Sequence, residues 1–206
     1  MNYQINVQLQ TNEAQMQALE RLQARFSAAC SYVGAVVSET RCWNRVALHH
    51  LLYHKLRQQF PELGSQMICN AIYSASCAAR LIFQNPASPW SVERGQQKKL
   101  PKLQFAAVAP VYFDRHTLSV RKGGVSMFTL DGRMKFDVEL SSNDERVFRE
   151  EKLKEIVLQR GAQGYSLRFS FSTEPEQRGL AREVPDYLVV LDSESGGTVA
   201  TDGISS

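Results

Sequence analysis

The sequence lacks the patterns that identify several classes of protein. No apolar run approaches the ~20 residues of a membrane-spanning helix, and residues 1–10 alternate polar and apolar side chains instead of forming a secretory signal. The four cysteines stand without paired metal spacing, so we expect reduced, packed thiols in a cytoplasmic protein. Neither a glycine-rich phosphate loop nor the context of a serine nucleophile is present in the sequence.

A cluster of histidines raises the question of a metal. His50 and His54 stand four residues apart, as ligands on one helix face do, and His49 is beside them. No HExxH pattern and no partnered carboxylate accompanies them, so we interpret them as surface or interhelical residues. No resident metal or cofactor is therefore expected.

Charge is distributed unevenly along the chain. Its net charge of +3 combines an excess of six positive charges in residues 1–107, two in residues 108–172 and five negative charges in residues 173–206. A basic body followed by an acidic tail suits a polyanionic partner, although a solvated surface explains so modest an excess equally well.

Hydrophobic periodicity predicts a strand followed by a helical block. Alternation over residues 3–9 predicts the strand, and Asn12 with Gln15 predicts a capping box for a helix directly after it. Helical spacing predicts two further helices, one ending at Pro61 and one beginning near Ser65. The small residues of the third helix should let another backbone approach closely.

Patterns of period two follow from residue 108 to residue 172. Gly123-Gly124 and Asp131-Gly132 stand between the runs as hairpin signals, and residues 143–153 are typical of a short helix. We therefore expect an α+β protein with an OB-like antiparallel β-barrel that carries a helical insert after its first strand. The expected units are a first barrel strand (1–10), a helical bundle (11–85), a basic linker (86–107), the barrel (108–172) and an acidic linker with a terminal strand (173–206).

Four segments carry a resemblance to a known family. They are residues 55–79 (KLRQQFPELGSQMICNAIYSASCAA), 101–105 (PKLQF), 125–133 (VSMFTLDGR) and 188–203 (LVVLDSESGGTVATDG). In their order and spacing they resemble the TnpB family of transposon-encoded RNA-guided nucleases, which are relatives of the type V CRISPR effectors. The resemblance covers almost the whole chain.

The resemblance implies a division of labour. A helical REC-like insert and a WED-like barrel would hold a guide RNA and recognise a short duplex motif beside the target DNA. Asp192 falls at the first aspartate of the RuvC-like nuclease, whose other carboxylates would lie beyond residue 206. We therefore expect no cleavage by this chain alone, and Mg²⁺ only where a RuvC-containing partner completes the site.

The resemblance also implies residues that read the duplex motif. Asn and Gln side chains pair with base edges, and Gln66 and Asn70 are one helical turn apart. The alternative is the capped, solvated start of a packing helix. The expected motif-binding residues are Trp43, Ser65, Gln66, Cys69, Asn70 and Tyr73.

Basic residues of the linker and of the barrel hairpins are candidates for RNA or phosphate binding through charge. Solubilising turn charge is the alternative. The candidates are Lys98, Lys99, Lys102, Arg121, Lys122, Arg133 and Lys135.

Four functions remain open on the sequence alone. The first is a nuclease-deficient, RNA-guided DNA-binding protein or recognition subunit with guide RNA and target DNA as partners. The second is a module that binds RNA only, and the third is one half of a split RuvC-type effector that another chain completes. The fourth, favoured by the weak net charge, is a protein-interaction domain outside nucleic-acid biology.

Overall fold

The computed structural model describes residues 2–94, 100–121 and 123–172, together with a short strand pair near the carboxyl end. The helices are α1 (Glu13–Thr40), α2 (Arg45–Gln59), α3 (Gly64–Phe83) and α4 (Ser142–Glu150). The strands are β1 (Asn2–Gln8), β2 (Val111–Phe113), β3 (Leu118–Arg121), β4 (Gly124–Thr129), β5 (Gly132–Asp137), β6 (Lys152–Gly161), β7 (Gly164–Ser172), β8 (Leu188–Val189) and β9 (Ala200–Thr201). No helix within these residues is long and apolar enough to cross a membrane.

The helix boundaries follow local chemistry. The predicted capping box is confirmed, because Asn12 Oδ1 accepts the Gln15 amide proton while the Gln15 side chain accepts that of Asn12. α1 ends at Arg41, whose backbone lies in the left-handed region at φ 56°. α2 ends where Pro61 begins a 3₁₀ turn, since proline cannot donate the next helical hydrogen bond.

The strands form two antiparallel sheets. We name them sheet A, with strand order β1-β7-β6-β2, and sheet B, with strand order β3-β4-β5. The α+β class is thus confirmed, but the described strands do not close into the predicted barrel. β2 and β3 are separated by a turn in which Asp114 Oδ1 accepts the amide protons of His116 and Thr117. One bridge, between Gln10 and Asp137, joins the sheets at a corner.

The core of the strand region lies on the inner face of sheet A. Register aligns Ile5, Phe169, Ile156 and Phe113 in one row across its four strands, and all four side chains are buried. Phe148 of α4 covers this region, with its ring edge-on to Phe169 at 4.8 Å between centroids. Burial of each such side chain contributes about 1.5–3 kcal/mol of stability, so this row anchors the sheet.

The segment that connects the helical block to the strand region packs back against α1. Residues 100–105 lie along α1, where Ser38 donates to the Pro101 carbonyl and Ser31 Oγ accepts the Phe105 amide proton at 2.9 Å. A Cβ at Gly34 would collide with the backbone of Leu103 and stand 2.8 Å from its Cβ. Glycine is therefore required for this close approach.

Candidate nucleic-acid interface

Five of the six residues predicted to read a duplex motif lie in the first half of α3, three of them buried, and the sixth, Trp43, precedes α2. Asn70 is only 1% exposed, and its Nδ2 lies 4.0 Å from Met67 Sδ. Cys69 and Tyr73 are buried as well, whereas Ser65 and Gln66 are half-buried. Gln66 and Asn70 consequently present no shared surface for base edges, because Asn70 belongs to the core that fixes α3.

The predicted phosphate-binding residues have different surroundings. Lys102, Arg121 and Lys135 are exposed. Lys98, Lys99 and Lys122 lie outside the described residues, as does Asp192 after strand β8. Register places Arg121 and Lys135 on one face of sheet B, together with Arg133, whereas Lys102 lies in the segment before β2.

Arg133 is held within sheet B. Its guanidinium donates to the His116 carbonyl at 3.0 Å, to Ser119 Oγ at 3.2 Å, and to the carbonyl and Oγ of Ser126 at 3.0 and 3.4 Å. These contacts reach from β5 across β4 to β3. Arg133 therefore braces the sheet, and four of its five N–H donors are used in the folded protein.

An aromatic and charged cluster joins the helices to sheet A. Tyr73 of α3 meets Tyr112 of β2 edge-on at 5.5 Å between ring centroids, and its hydroxyl lies 3.3 Å from Glu155 Oε1. The Arg45 guanidinium stands 5.6 Å from the Tyr73 ring centroid, in cation–π range. Burial, assisted by the charge of Glu155, raises the pKa of Tyr112 to about 12.

The outer face of sheet A is polar. Register places Gln4, Ser170 and Glu155 in one row, Asn6, Arg168, Val157 and Tyr112 in the next, and Gln8, Ser166 and Gln159 in a third. We call these residues the polar sheet face. α3 covers the end near Tyr112, so that Val157 is fully buried, whereas Gln4 and Asn6 at the opposite edge are exposed.

Arg168 lies at the centre of the polar sheet face. Its cross-strand neighbours are buried Val157 on one side and exposed Asn6 on the other. The Arg168 Nε is buried and has no hydrogen-bond partner among the described residues. An unpartnered buried donor requires an explanation, and a ligand oxygen can satisfy this one only when the half-buried side chain turns toward solvent. Sequence reasoning missed this residue, although an arginine between Ser166 and Ser170 in an alternating strand was a usable signal.

A cleft opens where α1 ends and α2 begins. It has a volume of about 360 Å³ and is lined by Arg41, Cys42, Trp43, Asn44, Arg80 and Gln84. The Trp43 carbonyl accepts a hydrogen bond from Ser76 Oγ at 2.6 Å, and the Trp43 ring packs on Phe83 at 5.9 Å between centroids. The aromatic wall of this cleft is therefore fixed in place by α3.

Of the histidines of α2, His49 packs in the core, whereas His50 and His54 are exposed. His49 is buried and stacks on the Tyr53 ring at 4.7 Å between centroids. Within the part of the chain that the structure describes, no group of three or more His, Cys, Asp and Glu side chains is arranged to hold a metal ion.

Comparison with known proteins leaves the family open. No protein-family model matches the chain, and no curated protein matches it. The resemblance to the TnpB family stays a prediction.

Proposed function

We propose that the protein is an RNA-binding recognition module of an RNA-guided system, and that a structured RNA lies on the polar sheet face. In this proposal α1, α2 and α3 correspond to the REC-like insert, and the two joined sheets are an open form of the WED-like barrel. The observation that carries the proposal is the buried, unpartnered Nε of Arg168 at the centre of that face.

The chemistry of the polar sheet face supports RNA as the ligand. Its open half presents the amides of Gln4 and Asn6 and the hydroxyls of Ser166 and Ser170 around the Arg168 guanidinium. Amide and hydroxyl side chains contact phosphate and sugar oxygens. Since base-paired RNA displays its 2′-hydroxyls and phosphates on a wide, shallow groove, a flat polar sheet matches its shape.

Charge near the face has the sign that RNA requires. Arg45 lies over the Tyr73 ring beside the face and Arg168 lies within the face, against the carboxylate of Glu155. An excess of guanidinium groups around a half-open surface raises the local concentration of a polyanion. The polar sheet face thus combines a positive field with hydrogen-bonding groups.

Recognition of a DNA motif is the narrower part of the proposal. Because Asn70 is buried, recognition of a DNA motif would depend on Gln66 and Ser65 at the start of α3. A native-like Gln66→Ala variant should lose about 1–3 kcal/mol of preference for one base pair. An unchanged preference would leave RNA binding as the whole function.

Paired hairpins of identical sequence, one of RNA and one of DNA, test the choice of ligand by fluorescence anisotropy. We expect the protein to prefer the RNA hairpin, and the double variant Gln4→Ala, Asn6→Ala to lose about fivefold or more in RNA affinity because two hydrogen-bonding groups are gone. The matched control is Gln58→Ala, Gln59→Ala, which removes two exposed amides at the end of α2. Equal affinity for the two hairpins, unaltered by the double variant, would contradict RNA binding at this face.

A further inference from the structure

We infer that the cleft at the junction of α1 and α2 binds a single nucleoside 5′-phosphate unit, with the base on Trp43 and the phosphate between Arg41 and Arg80. We call it the Trp43 cleft. The inference rests on the proposed function for the source of that nucleotide in the cell, either a free nucleotide or the 5′ end of an RNA. The Trp43 cleft and the polar sheet face consist of different residues, so each can be tested alone.

The size and lining of the cleft select the ligand. A volume of about 360 Å³ lies at the lower end of the ~300–1,000 Å³ range of small-ligand sites, which suits one nucleotide better than two. Trp43 supplies an aromatic surface whose other contacts hold it still, and every base has a π-face to stack on it.

Two arginines line the same cleft as the tryptophan. Planar guanidinium groups bind phosphate oxygens with two parallel hydrogen bonds, so Arg41 and Arg80 together suit a phosphate dianion. The side-chain amides of Asn44 and Gln84 complete the lining, and amides recognise base edges. The tryptophan thus suits the face of a base, the two arginines suit a phosphate, and the amides suit the edge of the same base.

The backbone conformation of Arg41 indicates that its side chain has a function. Among the described residues it is the only one other than glycine with a positive φ, 56°. Glycine or asparagine usually occupies this position after a helix, because a Cβ is strained there. An arginine at that position places a long cation at the mouth of the Trp43 cleft at a cost in stability.

Tryptophan fluorescence measures the site directly. The chain has two tryptophans, so a Trp90→Phe background leaves Trp43 as the sole reporter, and Trp90 is 47% exposed. Titrations use adenosine 5′-monophosphate, adenosine, inorganic phosphate, phosphotyrosine, and an RNA oligonucleotide with or without a 5′-phosphate. We expect saturable quenching by the monophosphate, with an affinity at least about tenfold above those of adenosine and phosphate.

Variants connect the quenching to the two arginines. Arg41→Gln and Arg80→Gln should each weaken binding of the monophosphate about tenfold, whereas Arg57→Gln, near the other end of α2, should leave it unchanged. Arg41→Gly should weaken binding and at the same time raise the thermal midpoint, because it removes the strained φ. A weaker binder that is also more stable cannot be explained by misfolding.

The remaining outcomes decide whether the inference holds and whether the bound nucleotide is free or is the 5′ end of an RNA. A preference for the 5′-phosphorylated oligonucleotide over the free monophosphate identifies an RNA end, and the reverse identifies a free nucleotide. Absence of saturable quenching, equal affinity for phosphotyrosine, or a double Arg41→Gln, Arg80→Gln variant within twofold of the parent would overturn the inference. If the nucleotide does not bind but the RNA hairpin does, only this inference is wrong and the proposed function stands. If the nucleotide binds but the hairpin does not, this site stands and the proposed function is wrong.

Discussion

Arg133 lies on the edge strand β5 of sheet B and Arg168 on the inner strand β7 of sheet A, and the two arginines have opposite surroundings. Arg133 of sheet B is exposed and donates four hydrogen bonds to groups on or beside neighbouring strands. Arg168 of sheet A is partly covered, and its buried Nε has no partner among the described residues. The exposed arginine is therefore the structural one, and the less exposed arginine is the candidate for a ligand.

The difference arises from the neighbours that each sheet supplies. Ser119 and Ser126 stand beside Arg133 with hydroxyl and carbonyl acceptors. The buried cross-strand neighbour of Arg168 is Val157, which has no side-chain acceptor. Whether an arginine can bind a phosphate thus depends less on its exposure than on whether the fold already uses its donors.

The largest expected effect is a loss of stability when Arg133 is replaced. Arg133→Gln should lower the free energy of unfolding by about 1–3 kcal/mol, because it removes most of a hydrogen-bond network that spans three strands. Urea unfolding followed by circular dichroism measures the change.

Arg133→Lys is the matched control for charge. Lysine keeps the positive charge but lacks the planar guanidinium with its several N–H donors. We therefore expect Arg133→Lys to be destabilised nearly as much as Arg133→Gln. Wild-type stability of Arg133→Lys would mean that Arg133 does not brace sheet B.

A smaller effect is expected from the carboxylate beside the polar sheet face. Glu155→Gln removes a negative charge while keeping an acceptor for the Tyr73 hydroxyl, 3.3 Å away. RNA affinity at low salt should rise about two- to threefold, since an exposed or half-buried charge contributes about 0.2–1 kcal/mol. Glu145→Gln on α4 serves as the control, and an equal gain there would show that only net charge matters.

The smallest expected effect concerns Tyr112 in alkaline solution. Burial first, and then Glu155, raises its pKa to about 12 from the ordinary tyrosine value of 10.0. Because the unfolded chain loses this proton at a lower pH than the folded chain, the contribution to stability is complete below about pH 10 and is lost as the pH rises toward 12.

Tyrosinate absorbance during an alkaline titration tests this assignment. Tyr112→Phe should remove a late-ionising component, and Glu155→Gln should move that component to lower pH. An unchanged late component in both variants would assign it to a different tyrosine, such as Tyr165, whose pKa burial also raises.

Local signals in the sequence predicted the elements well and their assembly less well. Asn12 and Gln15 form the expected capping box, and both predicted hairpin signals, Gly123-Gly124 and Asp131-Gly132, lie where β4 meets its two neighbouring strands. Closure of the sheets depends on the turn at Asp114, whose side chain satisfies two backbone amides and ends the ladder. Such a side-chain to backbone contact leaves no periodic trace in a sequence.

The candidate site was harder to predict than the fold. Asn70 was expected to read base edges because of the family resemblance and Arg133 to bind phosphate because of its charge, but tertiary packing buries the first and occupies most donors of the second. Arg168 was not among the predicted site residues. Cross-strand register, which brings Asn6 beside it from 162 positions away, becomes visible only in the folded chain.

Salt dependence of RNA binding in Arg168→Gln and Arg133→Gln tests the central claim most directly. Binding of one RNA hairpin is measured for the wild type and both variants over a range of salt concentrations at a temperature where all three are folded. We predict that Arg168→Gln loses about tenfold in affinity at low salt and about one unit of salt slope for the lost phosphate contact, whereas Arg133→Gln keeps both. Loss of affinity and slope in Arg133→Gln with none in Arg168→Gln would contradict the assignment of the polar sheet face as the RNA-binding surface.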